Sequence, residues 1–463
     1  MEFDILVIGS GPGGYVGAIR AAQLGFKTAV VERSEIGGIC LNWGCIPTKA
    51  LLKSAQALHY ANHSADYGVK IEGNVSPDIT AIVARSRAVA AGMNKGVDYL
   101  LKKNNVTVIA GTATLTADKN VEVTANDGSK QTISAKHIII ATGARANSLP
   151  FAPIDGKKII GYRQALVPTG IPKSMAVIGS GAIGCELAYF YNSVGTQVTL
   201  IEYLDTIAPL EDDEVSAQLS RSFRKAGIKV MVSAQVKNVD TSGEGCLLTI
   251  QTKKGEETLN ADLVLSAVGV VANIDNLGLE TLGITTERGK IKVDTNYQTN
   301  VKNIYAIGDV IATPALAHVA SAEAIACVEA IAGLNPPPID YENIPACTYT
   351  SPETASVGLT EKAAREKGFE IKVGKFPYTA SGKASAAGEK DGFIKLIFNA
   401  ANDELIGAHL AGMNVTEMIG GLVNARKLGV KGKDIIHSIY PHPSMSEAIM
   451  EAAAAAHGEV IHL

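Results

Sequence analysis

Residues 3–14 read Phe-Asp-Ile-Leu-Val-Ile-Gly-Ser-Gly-Pro-Gly-Gly, a short apolar run that breaks into Gly9-x-Gly11-x-x-Gly14. An alanine-rich stretch runs on to about Leu24, Gly25 closes it, and a second apolar run, residues 28–31, ends in Glu32. Alone, such glycines often mark only a tight turn. In the order strand, glycine turn, helix, strand and acid they specify a dinucleotide site. Gly9 allows the turn, Gly11 lets a pyrophosphate approach the backbone, Gly14 lets helix and strand pack, and the helix N-terminus receives the phosphate charge. Glu32 is placed to accept hydrogen bonds from ribose hydroxyls.

The same unit returns at residues 175–184, Met-Ala-Val-Ile-Gly-Ser-Gly-Ala-Ile-Gly, and its second strand closes at Glu202. Gly9 and Gly179, Gly25 and Gly195, and Glu32 and Glu202 each lie 170 positions apart, so no insertion separates the two copies internally. One chain thus carries two nucleotide folds, and electron transfer between two cofactors is the economical use. Glu202 is followed by Tyr203, Leu204 and Asp205, with no arginine. A carboxylate there bonds the 2′-hydroxyl of NAD and repels the 2′-phosphate of NADP, so Gly179, Gly181, Gly184 and Glu202 are expected to hold NAD.

Composition agrees with an α/β protein of two to four domains: 463 residues, 46% hydrophobic, with 46 glycines. A formal charge of −4 without a basic cluster argues against a nucleic-acid or anionic-membrane surface. Six cysteines in such a length form no disulfide framework and fit a reducing compartment. The first strand starts at about Glu2, leaving no room for a secretory signal, and no run of 18 apolar residues occurs. A soluble, cytoplasmic protein is the expectation.

Between the nucleotide units, residues 37–53 read Gly-Gly-Ile-Cys-Leu-Asn-Trp-Gly-Cys-Ile-Pro-Thr-Lys-Ala-Leu-Leu-Lys. In an unbroken helix, Cys40 and Cys45 would stand more than ~7 Å apart at Cα, beyond disulfide range. A bridge therefore needs a distorted turn, which Gly44 permits, before a helix near Pro47. A thiolate at Cys45 would sit by that helix N-terminus with Lys49 one turn on, both of which favour ionisation. A structural disulfide, half a zinc site and two core cysteines are the bland readings. Zinc wants four ligands, and Cys185, Cys246, Cys327 and Cys347 are scattered singly.

Residues 54–101 read as helical, punctuated by Gly92 and Gly96, and residues 106–133 as short strands with turns at Asp118-Lys119-Asn120 and Asn126-Asp127-Gly128. Apolar strands then end in glycine turns at Ala141-Thr142-Gly143, at Gly269 and at Gly308-Asp309. Asp309 is either a helix cap or a polyol ligand. Strands at 393–398 and 405–410 alternate with helices at 414–428 and 446–456, an α+β domain without a nucleotide signature. Near the end, His442 lies between Pro441 and Pro443 with Glu447 on a helix start. A histidine held by a carboxylate is an oriented general base; a surface histidine beside a capping glutamate is the alternative.

Together these motifs resemble the FAD-dependent pyridine nucleotide–disulfide oxidoreductases over the whole chain, through 37–52, both glycine motifs, Ala141-Thr-Gly143, Ala306-Ile-Gly-Asp309 and His442-Pro-x-x-Ser-Glu447. The resemblance implies an α/β fold with two Rossmann-type dinucleotide-binding domains plus a C-terminal α+β dimerisation domain. It implies an FAD-binding domain at 1–149, an NAD-binding domain at 150–277, a central domain at 278–345 returning to the first, and an interface domain at 346–463. Non-covalent FAD would meet Gly9, Gly11, Gly14, Glu32, Lys49, Thr112, Thr142, Gly143, Asp309 and Ala317. NAD would meet Gly179, Gly181, Gly184, Glu186, Glu202, Val236 and Gly269.

The implied catalytic residues are Cys45 as flavin-facing thiol, Cys40 as interchange thiol, and His442 with Glu447 as proton acceptor, supplied across a homodimer. Within the family the pattern is similar to the branch that oxidises protein-bound dihydrolipoamide with NAD. That implies lipoyl domains of an E2 acyltransferase, or of the glycine cleavage H protein, as partners, and neither nucleic acid nor membrane insertion. A glutathione-reductase-type enzyme using NADP is the rival, and a non-enzymatic flavoprotein subunit the other alternative. Trp43, Tyr440 and Val270 to Ala272 depart from the family pattern.

Overall fold

The computed structural model describes residues 1–463 and divides into two compact units. The first comprises Met1–Leu51, Thr80–Asn147 and Gly269–Ile339; the second Leu52–Ile79, Ser148–Val268 and Asp340–Leu463.

The first unit is built on the opening apolar run, which forms β1 (Glu2–Ile8). Ile5, Leu6 and Val7 are fully buried, as expected of a parallel strand covered on both faces. After α1 (Pro12–Gln23), β2 (Thr28–Glu32) pairs parallel with β1, and β3 (Thr107–Ala110) extends the sheet beyond β2. On its other side β1 pairs parallel with β6 (Lys130–Ile140), which in turn pairs with strand Ile304–Ala306. β6 is one continuous strand. Its first half joins the antiparallel ribbon of β4 (Thr112–Leu115) and β5 (Val121–Thr124), and its second half enters the parallel sheet.

The predicted helix over 54–101 is two helices. α3 (Cys45–Asn62) ends in a short 3₁₀ turn, and α4 (Ile79–Lys103) starts beyond an irregular stretch holding Gly68, Gly73 and Pro77. Gly92 and Gly96 do not punctuate α4. Both sit on its open side, where a Cβ would touch nothing, and cost about 1 kcal/mol each relative to alanine. The buried stripe of Ser86, Ala90, Val97 and Leu101 carries the helix through them.

In the second unit, strands at Ser174–Ile178, Gln197–Ile201, Lys229–Met231, Leu263–Ser266 and Ile159–Ile160 form an all-parallel sheet with Ser174–Ile178 central. An antiparallel sheet (Gln235–Asp240, Cys246–Thr252, Gly255–Ala261) accompanies it. The chain ends in a five-stranded antiparallel sheet between Ala346 and Gly412, packed against helices Val415–Lys427 and Glu447–Ala456. A buried ion cluster joins the parallel part to this sheet. Lys395, 2% exposed, contacts Asp212 (2.9 Å), Glu214 (3.0 Å) and Glu361 (2.9 Å). No helix is long and apolar enough to cross a membrane.

Candidate active site

Both glycine turns have the close packing their sequence implies. A Cβ on Gly9 would lie 2.4 Å from the Ala141 carbonyl oxygen, and one on Gly14 only 1.9 Å from that of Gly9. The repeat matches: a Cβ on Gly179 meets the Ala267 oxygen at 2.5 Å, and on Gly184 the Gly179 oxygen at 2.0 Å. Around Gly11 and Gly181 the space is open, which is where a phosphate needs to come close.

A second repeated device lies in the residue between the first two glycines. Ser10 donates its amide (2.9 Å) and hydroxyl (2.6 Å) to Glu32 Oε2, while the Ser34 amide reaches Oε1 at 2.9 Å. Ser180 does the same to Glu202 Oε2 (3.0 and 2.6 Å), with the Leu204 amide on Oε1 at 2.8 Å. Three of roughly four acceptor directions of each carboxylate are thus filled, leaving one on Oε1 for a ribose hydroxyl. The serine locks were missed in the sequence, although Ser10 and Ser180 share the 170-residue spacing.

Ser10 also ties the cysteine segment to the nucleotide turn, its backbone oxygen accepting from the Gly37 amide at 3.1 Å. Gly38, at φ +60°, lies against that turn, and a Cβ there would come within 2.8 Å of Gly11 Cα. Cys40 stands in α2 (Gly38–Trp43); Gly44 breaks the helix, and Cys45 opens α3. The helix therefore starts two residues before Pro47. Thr48 bonds back to the Gly44 carbonyl through its hydroxyl (2.6 Å) and amide (3.0 Å), closing the first turn of α3.

The break brings the sulfurs together, with Cys40 hydrogen-bonded to Cys45, both in the dithiol form. That bond, reinforced by burial, pushes the Cys40 thiol far up, while Lys49 pulls the other way. Of the two residues, Cys45 is the more exposed.

Elsewhere in this unit, Thr142 Oγ1 donates to the Asn273 carbonyl (2.7 Å) and positions the turn at Gly143. Thr112 is exposed at the start of β4, and Ala317 opens helix Ala317–Ile331. From that helix, fully buried Glu323 accepts the Gly308 amide at 2.6 Å and fixes the turn bearing Asp309, another contact the sequence did not announce. Burial raises the Asp309 carboxyl, partly offset by Lys290, which suits a group waiting for hydroxyl donors. These residues fit an FAD-sized dinucleotide: an open phosphate approach, a spare acceptor on Glu32 and a half-buried carboxylate.

In the second unit, Glu186 is buried on helix Ala182–Ser193 and accepts the Tyr349 amide at 3.0 Å. The Val236 side chain belongs to the core, so only its backbone is available to a ligand. Gly269, at φ +94°, falls in the first unit immediately before strand Val270–Ala272.

His442 Nδ1 meets Glu447 Oε1 at 2.8 Å, and the Ser444 amide donates to Oε2 at 2.7 Å. Partial burial raises the Glu447 carboxyl, but the Ser444 amide and the His442 ring outweigh it and hold the group below its ordinary value. The His442 side chain is 80% exposed.

Residues 3–324 match the family model described as pyridine nucleotide-disulphide oxidoreductase, and residues 344–453 match its dimerisation domain. The chain belongs to this family. Among pyridine nucleotide-disulphide oxidoreductases, it is 49% identical to a dihydrolipoyl dehydrogenase of Rhizobium etli, over 100% of this chain and 99% of the relative. It is 47% identical to one from Zymomonas mobilis, over 100% and 99%. The crystal structure of LpdA from Mycobacterium tuberculosis superposes with a TM-score of 0.90 at 28% identity, covering 97% of this chain and 99% of that one. The α/β class with its dimerisation domain stands as expected, and that domain supports a homodimer.

Proposed function

We propose that this chain is a dihydrolipoyl dehydrogenase: it oxidises protein-bound dihydrolipoamide to lipoamide through a Cys40–Cys45 disulfide and FAD, and passes hydride to NAD. The observation that carries this reading is the sulfur–sulfur contact at the Gly44 break, on a segment bonded to the nucleotide turn at Ser10. The full-length relatives of that name support it.

In the oxidised state, one substrate thiol attacks Cys40 Sγ, the Cys40–Cys45 bond breaks, and Cys45 leaves as thiolate, steadied by Lys49 and the start of α3. His442 takes the thiol proton and Glu447 stabilises the resulting imidazolium. The second substrate thiol then displaces Cys40, forming lipoamide and leaving two electrons on the cysteine pair. When bound, FAD supplies two-electron transfer between that pair and NAD.

Gly9, Gly11, Gly14, Glu32, Lys49, Thr112, Thr142, Gly143, Asp309 and Ala317 hold FAD in this reading. Gly179, Gly181, Gly184, Glu186, Glu202, Val236 and Gly269 hold NAD, and the carboxylate of Glu202 disfavours a 2′-phosphate. The domains follow as 1–149 for FAD, 150–277 for NAD, 278–345 central and 346–463 interface. His442 and Glu447 serve the cysteine pair of the second copy in the homodimer. Lipoyl domains of an E2 acyltransferase or a glycine cleavage H protein deliver the substrate, and a reducing cytoplasm is the fitting location.

The test is Cys45→Ser and Cys40→Ser. Both variants should retain bound FAD and lose dihydrolipoamide oxidation. Normal turnover by either would sink the mechanism.

A further inference from the structure

The three residues between the sulfurs, Leu41 aside, are Asn42, Trp43 and Gly44. α4 holds the first two in place. Arg87 Nη1 donates to the Asn42 carbonyl, and the same guanidinium lies 4.3 Å from the centroid of the Trp43 ring. Trp43 Nε1 donates to Glu35 Oε1 at 3.2 Å, and Asn94 Nδ2 donates to Asn42 Oδ1 at 2.5 Å. Asn42 Nδ2 in turn bonds the carbonyls of Ile36 (3.0 Å) and Gly38 (2.9 Å), the two sides of the entry to α2. The Arg87 charge sits at the C-terminal end of α2, where a cation is favoured. Its planar fork can stack and donate at once, which a lysine cannot do.

We propose that Arg87 is a positioning residue for the redox pair: by clamping Asn42 and Trp43, the last two residues of α2 before the Gly44 break, it holds Cys40 and Cys45 at bonding approach and thereby stabilises their disulfide. The inference rests on the reading of Cys40 and Cys45 as the redox couple. Its physical basis is effective concentration. Two thiols held in register lose little freedom on joining, whereas a loosened segment gives the dithiol conformers that the disulfide must forfeit. Trp43, a departure from the family pattern, supplies the surface that Arg87 grips. The clamp is thus matched to this sequence.

The test equilibrates the FAD-loaded protein in glutathione buffers and counts alkylated thiols by mass. The couple is balanced: the Cys40–Cys45 disulfide and two glutathione thiols give two cysteine thiols and one glutathione disulfide. Arg87→Ala should lower the equilibrium constant for the protein disulfide about tenfold, equivalent to ~30 mV for a two-electron couple. Arg87→Lys, which keeps the charge and a donor but not the stacked fork, should fall between. Trp43→Phe, which keeps a ring but loses the Glu35 bond, should shift by less than Arg87→Ala.

Unchanged constants in Arg87→Ala, or in Arg87→Lys if the alanine variant does not fold, overturn the proposal. So does a stronger disulfide in either. A wild-type chain in which Cys40 and Cys45 never join under oxidising glutathione defeats the functional reading itself, so the two failures are distinguishable.

Discussion

Replacing Glu447 by glutamine tests what the carboxylate does for His442. Glutamine keeps the size and one acceptor oxygen, enough for either the Nδ1–H at 2.8 Å or the Ser444 amide at 2.7 Å, and replaces the other oxygen by a donor NH2, so the charge and one accepted bond are lost together. A hydrogen bond to a charged group contributes ~1.5–3 kcal/mol against ~0.5–1.5 for a neutral one. With the imidazole 80% exposed in the single chain, solvent screening puts the difference at the low end, about 1 kcal/mol. Because the carboxyl is held below its ordinary value, it is ionised throughout a neutral assay. If that energy appears where the imidazolium forms, the dithiol-oxidation step slows about fivefold.

The assay is rapid mixing of oxidised protein with dihydrolipoamide, with NADH-driven reduction of an artificial electron acceptor as control, since no dithiol proton moves there. The expected outcome is a slower first reaction and an unchanged control. A variant within twofold of wild type in the first reaction would refute the role given to Glu447.

Three further outcomes follow from the geometry. Gly38→Ala places a Cβ 2.8 Å from Gly11 Cα at a φ of +60° and should cut the flavin recovered per chain; full flavin content would show the cysteine segment is not packed on the nucleotide turn as described. Lys395→Met strands the buried Asp212 carboxylate and should cost ~3–5 kcal/mol in urea unfolding, with less than about 1 kcal/mol contradicting the buried cluster. Burial pushes Glu211 up to about 7, although the Ser356 hydroxyl opposes it. The folded chain thus keeps a proton that the unfolded chain releases near 4.5, and stability falls as pH rises between those values. Glu211→Gln should therefore gain about 3 kcal/mol over wild type at pH 8 and nothing at pH 4; a pH-independent difference would show the carboxyl is not buried and protonated.

Much of this was readable in advance because its signals are local. The strand, glycine turn, helix and acid of each nucleotide unit span about thirty residues, and the repeat at 170 positions announced two of them. The cysteine spacing demanded a broken helix, and Gly44 supplied the break. Contacts distant in sequence stayed hidden. Nothing near Glu323 says that its carboxylate reaches Gly308, and nothing near Arg87 says that it caps a helix ending 44 positions earlier. The long helix expected over 54–101 failed for a different reason: Gly92 and Gly96 drew attention as breakers, while Gly68, Gly73 and Pro77, which lie within the real gap, did not. A glycine on an exposed helix face is only a modest cost, whereas three breakers within ten residues end a helix.

The most direct test of the central claim is steady-state oxidation of dihydrolipoamide with NAD and, in parallel, NADP, followed by the appearance of reduced nicotinamide. The account predicts turnover with NAD and at most weak turnover with NADP, because the Glu202 carboxylate repels a 2′-phosphate. No turnover with dihydrolipoamide, together with NADPH-dependent reduction of another disulfide, would contradict both the substrate and the nucleotide assigned here.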